Sequence, residues 1–379
     1  MANTLKLGAG KWATGKDTVL SFNDENGNFK PLPFSFSRAS SATVVNQSGL
    51  IETVGSGEPR IDFLGNTKGA LLLEPQRTNY VLYSETEGII GGSNGWSGDS
   101  DNTITQNYGT TPFTGSELKS TRIQFTGSSK EFRNNISSVT ITPTASIWIK
   151  GSVGRTIKFG SNSNEGIFTL NGEWQKLVQT GSSLSTNRLT INTYSSTTAR
   201  DIEIFAPQLE QGSYATSYIP TSGSAVTRVA DACNNGANEQ VINSTEGVLY
   251  AEISAFDNIS RISLSDGSSS NRVSFRIDAN SIDFQYRIGG IYSYRVDVDI
   301  DTSNTNKIAM SFNNGVFVGY LNGVAIGSPI SGASLGQGVL DRLNFNDGNS
   351  PDSFEGKAKD VRVYNTALTD AELIALTSN

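Results

Sequence analysis

The sequence predicts an all-β protein: two antiparallel β-sandwich modules of jelly-roll type in tandem, an extended N-terminal attachment segment and a short C-terminal helix. Three observations predict it. Short runs of alternating apolar residues recur along the chain, with turn signals at intervals of roughly 8–12 residues. No stretch before the last dozen residues carries apolar groups at helical spacing. The 379 residues include 39 Gly and 10 Pro but only 17% charged residues, so Ser, Thr, Asn and Gly fill turns. Aromatic residues reach 9%, which argues against disorder.

In chain order, residues 1–79 read as an extended N-terminal region. Gly10 to Asp17 nearly spells a phosphate-binding loop, but Asp17 stands where a Ser or Thr must bind magnesium. TVLSFND then alternates like a strand instead of opening a helix, so a Gly-rich loop before a strand at 18–22 is expected. Asp24-Glu-Asn-Gly27 is a hairpin signal. Strands are expected at 42–45, 50–54, 60–63 and 70–73. Arg38, Arg60, Glu74 and Arg77 read as ion pairs pinning this segment.

Residues 80–206 form the first sandwich. Its strands are expected at 120–126, 137–142, 145–150, 156–161, 166–170, 174–180, 188–194 and 201–205. Residues 207–239 follow as an ordered, extended strap. Pro207, Gly212, Pro220 and Gly223 exclude a helix or a central strand there, and Leu209, Tyr214, Tyr218 and Ile219 exclude a loose linker. A polar loop without an apolar anchor, NNGAN, is expected at 234–238.

Residues 240–379 form the second sandwich. Strands are expected at 247–253, 261–265, 272–278, 282–288, 292–300, 307–312, 316–321 and 357–364, with a hairpin turn at Asn322-Gly323. Thr369 and Glu372 are spaced as a capping box for the closing helix. Within 272–300, pairing Ile277 with Ile282 keeps both apolar sets inward and sets Arg276 opposite Asp283. A three-residue loop, Gly289-Gly290-Ile291, then pairs Gln285 with Arg295 and Asp283 with Asp297, and turns Tyr292 and Tyr294 inward. The two opposed aspartates are expected to be offset by Arg276, or else by a bound cation.

Several pieces resemble known families. FSRASSAT, NQSGLIETV, PRIDF, LLLEPQRTN and PQLEQGSYATSYIPTSGSAVTRVAD look like segments of bacteriophage tail fibre, tailspike and head-fibre proteins. SIWIKG, GEWQKLVQT and DIEIFAPQLEQG resemble carbohydrate-binding modules of jelly-roll type. NKIAMSFNNGVFVGYLNGVAIG and FEGKAKDVRVYNTALTDAELIAL resemble the laminin-G/concanavalin A-like domain. The resemblance implies a virion appendage, made in the host cytoplasm without a signal peptide. It would bind host-surface glycan or neighbouring virion proteins and assemble as a homo-oligomer, a trimer by analogy. A structural capsid decoration or adaptor protein is the first alternative, and a glycan-cleaving tailspike enzyme the second.

Composition narrows the chemistry. With no His, the Ser-His-Asp, Cys-His and His-zinc sites are excluded. No paired carboxylates at a recognisable spacing suggest glycoside hydrolysis, so the expectation is no enzyme and no cofactor. A net charge of −7 with scattered basic residues predicts no nucleic-acid partner, and no apolar run predicts a membrane span. Cys233 is the single cysteine and reads as a small, semi-buried residue. The polar face of the 272–300 meander supplies the candidate ligand residues Arg272, Arg276, Asp283, Gln285, Arg287, Arg295 and Asp297. Trp148 is the candidate sugar-stacking aromatic, because it alternates away from Ile147 and Ile149. Asp297, Asp299 and Asp301 begin like a calcium loop. Thr302 and Ile308 occupy the positions where an EF-hand needs Gly and Glu, so only a looser calcium site is left.

Overall fold

The computed structural model describes residues 4–23, 32–85, 95–113, 117–127, 130–161, 164–182, 184–193, 201–256, 259–349 and 353–378. The turn expected at Asp24–Gly27 lies outside them. The described chain is almost entirely antiparallel β, with one helix, Asp370–Thr377. It divides into two compact units, Met1–Ala39 with Val54–Pro75 and Ala230–Asn379, and Ser40–Thr53 with Gln76–Val229.

The first unit corrects the expected division. Residues 1–79 are not a separate attachment region, because most of them build the same body as the C-terminal residues. Thr4–Gly8 pairs with Gly356–Tyr364 over five residues, Leu5 against Val363 and Leu7 against Val361. Thr18–Asn23 and Leu32–Ser37 extend that sheet, and Ala232–Asn234 closes its edge. On the other side it runs through Glu246–Ala255, Asn306–Asn313, Val316–Leu321 and Val324–Ser331. The physical reason is a shared core. Leu5, Leu7, Val19, Phe34 and Phe36 are buried with Leu249, Val361 and Val363 in one cluster. An alternating strand has one apolar face to bury, and this sheet offers the place.

A second sheet packs on that core, in the order Ile291–Asp299, Ser281–Ile288, Arg272–Ile277, Ser260–Ser265, Arg342–Asn344. Its inward residues, Ile262, Leu264, Val273, Phe275, Ile277, Ile282, Phe284 and Tyr286, are fully buried. The expected strands of this region are present, and the sequence reading missed Val324–Ser331 and Arg342–Asn344. The Asn322-Gly323 turn has both φ angles positive, 48° and 85°, as a type I′ hairpin requires. The capping box also forms: Glu372 N–H donates to Thr369 Oγ1 (3.3 Å) and Thr369 N–H donates to Glu372 Oε2 (2.8 Å).

Arg38, Arg60 and Glu74 pin extended segments, with Asp231 as their common partner. Arg38 Nη1 meets Asp231 Oδ1 at 3.0 Å, Arg60 Nη1 meets Glu74 Oε2 at 2.7 Å, and Arg60 Nη2 meets Asp231 Oδ2. Asp231 Oδ2 also accepts the Glu74 N–H (2.9 Å). Arg77 stands apart in the second unit, its guanidinium 4.9 Å from the Tyr214 ring centre.

The second unit is a sandwich of two five-stranded sheets. One runs Trp96–Gly98, Glu131–Ile141, Leu184–Asn192, Thr156–Ser161, Asn164–Thr169; the other Thr103–Thr105, Thr121–Gln124, Asp201–Gln211, Pro143–Gly151, Gln175–Thr180. The strap is extended, as expected, but its beginning is a central strand, contrary to the reading of Pro207. Asp201–Gln211 lies between Thr121–Gln124 and Pro143–Gly151. Proline is accommodated there by a bulge, where the register slips between Ser146 and Trp148 and Ala206 takes φ 50°. Side chains then fix the strap. Asn79 Nδ2 donates to Ile219 O (2.9 Å), and Thr221 Oγ1 donates to Val81 O (2.6 Å).

The segment 234–238, in the first unit, is not a free loop. Gly236 exchanges two backbone hydrogen bonds with Leu343, at 3.0 and 2.6 Å. Polar composition hid this anchor, because the anchor is backbone.

Candidate functional site

The candidate site is the outward face of the five-stranded sheet in the first unit. Residues on one face of an antiparallel pair lie opposite each other, so the register builds the face in rows. Ser265, Arg272 and Arg287 form one row; Ser263, Ser274, Gln285 and Arg295 a second; Arg261, Arg276, Asp283 and Asp297 a third. The expected pairs Ile277–Ile282, Arg276–Asp283, Gln285–Arg295 and Asp283–Asp297 are all present.

Two parts of the expected register are corrected. The loop is Gly289-Gly290, a two-residue turn with φ 53° and 87°, and Arg287 pairs with Tyr292. Parity is restored by a bulge between Tyr292 and Tyr294. Two successive glycines satisfy a type I′ turn, whose twist matches the strands, so the extra residue sits in the strand and not the loop. Tyr294 therefore points inward at 3% exposed, while Tyr292 points outward at 39%.

The floor of the face is a buried polar layer. Ser263, Ser274, Asp283 and Gln285 have no exposed surface, and Arg272 almost none. Gln285 organises it. Its Oε1 accepts from Arg272 Nη2 (3.1 Å) and Arg261 Nη1 (3.3 Å), and its Nε2 donates to Asp283 Oδ2 (2.7 Å). Arg295 Nε donates to that same oxygen at 2.8 Å. Arg295, not Arg276, thus offsets the opposed aspartates, while Arg276 turns to Asp278. The Arg295 guanidinium is held above its usual range by its hydrogen bond to Asp283. Burial, then the neighbouring Arg261, pull the Arg272 guanidinium down.

Unmet polar capacity points at this face. Asp283 Oδ1, Asp347 Oδ1 and Arg287 Nε are buried without a hydrogen-bond partner among the described residues. Asp347 stands 3.8 Å from both Arg261 and Arg272. Above the floor, Arg287 and Arg295 lie 5.2 and 5.3 Å from the Tyr292 ring centre, one exposed aromatic with two cations over it. Donors, acceptors and an aromatic surface converge here. Arg261, Ser263 and Tyr292 were missed in the sequence. The first two were legible from the alternation of RISLS, but Tyr292 was hidden by the bulge.

Trp148 is not part of this face; it belongs to the second unit. There it is half-buried and meets Phe113 edge-on at 5.5 Å, in a cluster with Phe205 and Tyr218. Trp96 is buried and stacked on Phe132 at 4.8 Å. Both are packing residues in this structure.

Asp297 and Asp299 alternate onto the exposed side of their strand. Asp301 instead binds its own loop, accepting from Ser303 N–H (2.9 Å) and Asn304 Nδ2 (2.8 Å). The Ser303 side chain and backbone hold its carboxyl below the usual range. Among the described residues no group of three His, Cys, Asp or Glu is placed to hold a metal. Cys233 is 1% exposed, and burial pushes its thiol up.

Residues 250–374 match the family described as "Concanavalin A-like lectin/glucanases superfamily". No curated protein matches the chain. Among solved structures, similarity extends to the CBM40 of Ruminococcus gnavus IT-sialidase bound to alpha2,3 sialyllactose, at 19% identity and TM-score 0.31 over 36% of this chain and 83% of that one. Domain 4 of AbnA, a GH43 extracellular arabinanase from Geobacillus stearothermophilus in complex with arabinotriose, aligns at 16% identity and TM-score 0.31 over 44% and 84%. Mouse laminin alpha1 chain domains LG4-5 align at 12% identity and TM-score 0.23 over 65% and 93%.

Proposed function

We propose that this chain is a non-catalytic glycan-binding subunit of a bacteriophage appendage, acting through the outward face of its five-stranded sheet. The observation that carries the reading is the convergence at that face. A buried polar floor with unmet acceptors lies under an exposed tyrosine held by two arginines. Sugar rings present hydroxyls to polar groups and C–H faces to an aromatic, and the exposed Arg295, Asp297 and Tyr292 of this face offer both partners, while the buried floor holds Arg295 in place. The lectin-like match over residues 250–374 supports the same reading. The virion role rests on the resemblance of FSRASSAT and PQLEQGSYATSYIPTSGSAVTRVAD to phage fibre segments, and a homotrimer is the assembly that resemblance implies.

The test is a glycan array with the full chain, followed by titration of the best ligand against variants. Tyr292→Ala and Arg295→Ala are each expected to weaken binding about tenfold or more, the loss of roughly 1.4 kcal/mol. Tyr292 is partly exposed, so its variant keeps the fold; Arg295 pairs with the buried Asp283, so Arg295→Ala is checked for folding before its affinity is read. Unchanged affinity in both variants would move the site elsewhere. Release of reducing sugar from a bound polysaccharide would overturn the non-catalytic reading.

A further inference from the structure

The opposite sheet of the first unit carries a polar cavity. It has a volume of about 550 Å³, and its walls include Lys68, Glu252, Lys307, Lys359, Asp360 and Arg362, with Tyr250 beside them. Register sets it up: Glu252 faces Asp360 across one strand pair and Lys307 across the next, while Tyr250 faces Arg362. Two of the cations are already engaged. Lys307 Nζ donates to Ser378 O (2.6 Å) at the end of the helix, and Lys359 Nζ donates to Thr305 Oγ1 (2.8 Å).

Two other groups have unmet demands of opposite kind. Asp360 is 3% exposed, and its Oδ2 accepts from Arg362 Nε at 2.9 Å. Its Oδ1 is buried with no hydrogen-bond partner among the described residues. Leaving such an acceptor unpaired costs free energy that a donor from a ligand recovers. Burial, and the facing Glu252, push the Asp360 carboxyl up. Lys68 is exposed at the rim, and its ammonium pairs with no acid among the described residues. Asp360 thus calls for a hydroxyl donor, and the rim cation for an anionic acceptor.

We infer that this cavity is a second saccharide site, selective for an acidic sugar of the hexuronate class. The sugar's hydroxyls meet Asp360 and Glu252, and its carboxylate meets the Lys68 rim. A neutral sugar meets only the first demand, and a bare inorganic anion only the second. The cavity volume falls within the range of roughly 300–1,000 Å³ usual for small-ligand sites. The inference is independent of the proposed face on the five-stranded sheet.

Saturation-transfer NMR and calorimetry of the full chain test it, with oligogalacturonate and oligoglucuronate as probes, cellotriose as the neutral control and inorganic sulfate as the anion control. The expected result is uronate binding at least fivefold tighter than either control. Lys68→Ala and Asp360→Asn should each weaken it at least fivefold, the second by replacing the orphaned acceptor with a donor. Lys68 is exposed, so its variant carries the test if Asp360→Asn fails to fold. Absence of uronate binding, sulfate binding as tightly as uronate, or unchanged affinity in Lys68→Ala would each overturn the inference. Uronate affinity lost in Arg295→Ala but kept in Lys68→Ala would place the ligand on the five-stranded sheet, refuting this site and supporting the other.

Discussion

Asp231 shows how much one side chain can hold. It is buried beside two buried arginines, Arg38 and Arg60, and it also accepts the Glu74 N–H. Removing its charge leaves two buried guanidinium groups with one carboxylate, Glu74, to balance them in a dry site. Asp231→Asn is therefore expected to cost about 3–5 kcal/mol, read as a lower urea midpoint. A loss under about 1 kcal/mol would mean that water reaches the cluster. Glu210 makes a contrasting case. Burial pushes its carboxyl up from the ordinary 4.5, while Thr216 and Arg228 draw it down. Between 4.5 and that raised value, the native state keeps a proton that the unfolded chain has released. Stability then falls as pH rises through that window. The stability of the natural chain relative to Glu210→Gln should decline from about pH 4 towards pH 7, followed by urea titration. A pH-independent difference would refute the shift.

At the scale of elements, turns and bulges decide what alternation cannot. Val273, Phe275 and Ile277 face inward as the period of two demands, and so do Ile282, Phe284 and Tyr286. The next strand breaks the period at its bulge, and the exposed aromatic of the candidate site results. The segment around Gly236 makes the same point in the other direction. A Cβ built there would stand 2.2 Å from Phe34 Cζ, and the Phe34 ring is fully buried. Gly236→Ala should cost about 1–3 kcal/mol, since the ring has nowhere to go. Limited proteolysis of the natural chain should spare 207–238, and Gly236→Ala should open cleavage near 234–238. An uncut variant of unchanged stability would show that the ring moves aside.

For the whole molecule, the first unit is discontinuous in sequence. Leu5 and Leu7 fill the core beside Val361 and Val363, and Ala70–Leu73 pairs with the start of Gly356–Tyr364. A fragment of residues 240–379 keeps both sheets in part but loses the strands that cover their apolar face. It is expected to be aggregated or molten, with weak near-ultraviolet circular dichroism and poor amide dispersion. Adding residues 1–75 in trans should restore dispersion. A well-dispersed spectrum from the fragment alone would show that the N-terminal strands are dispensable.

The sequence by itself determined the class and most of the strands. Alternation, turn residues and capping chemistry act between neighbours in the chain, so the hairpins Arg272–Ile277 to Ser281–Ile288 and Asn322-Gly323, and the Thr369–Glu372 cap, were legible. It also located most of the candidate face, because register follows from which residues must be inward. Only the tertiary structure decided the rest. That Thr4–Gly8 lies beside Gly356–Tyr364 depends on which apolar faces share one core, and no local pattern encodes a pairing across that distance. That Arg295 rather than Arg276 answers Asp283 depends on where long side chains come to rest. Pro207 in a central strand and Tyr292 on the outer face both follow from bulges, single extra residues that shift every later side chain to the other face.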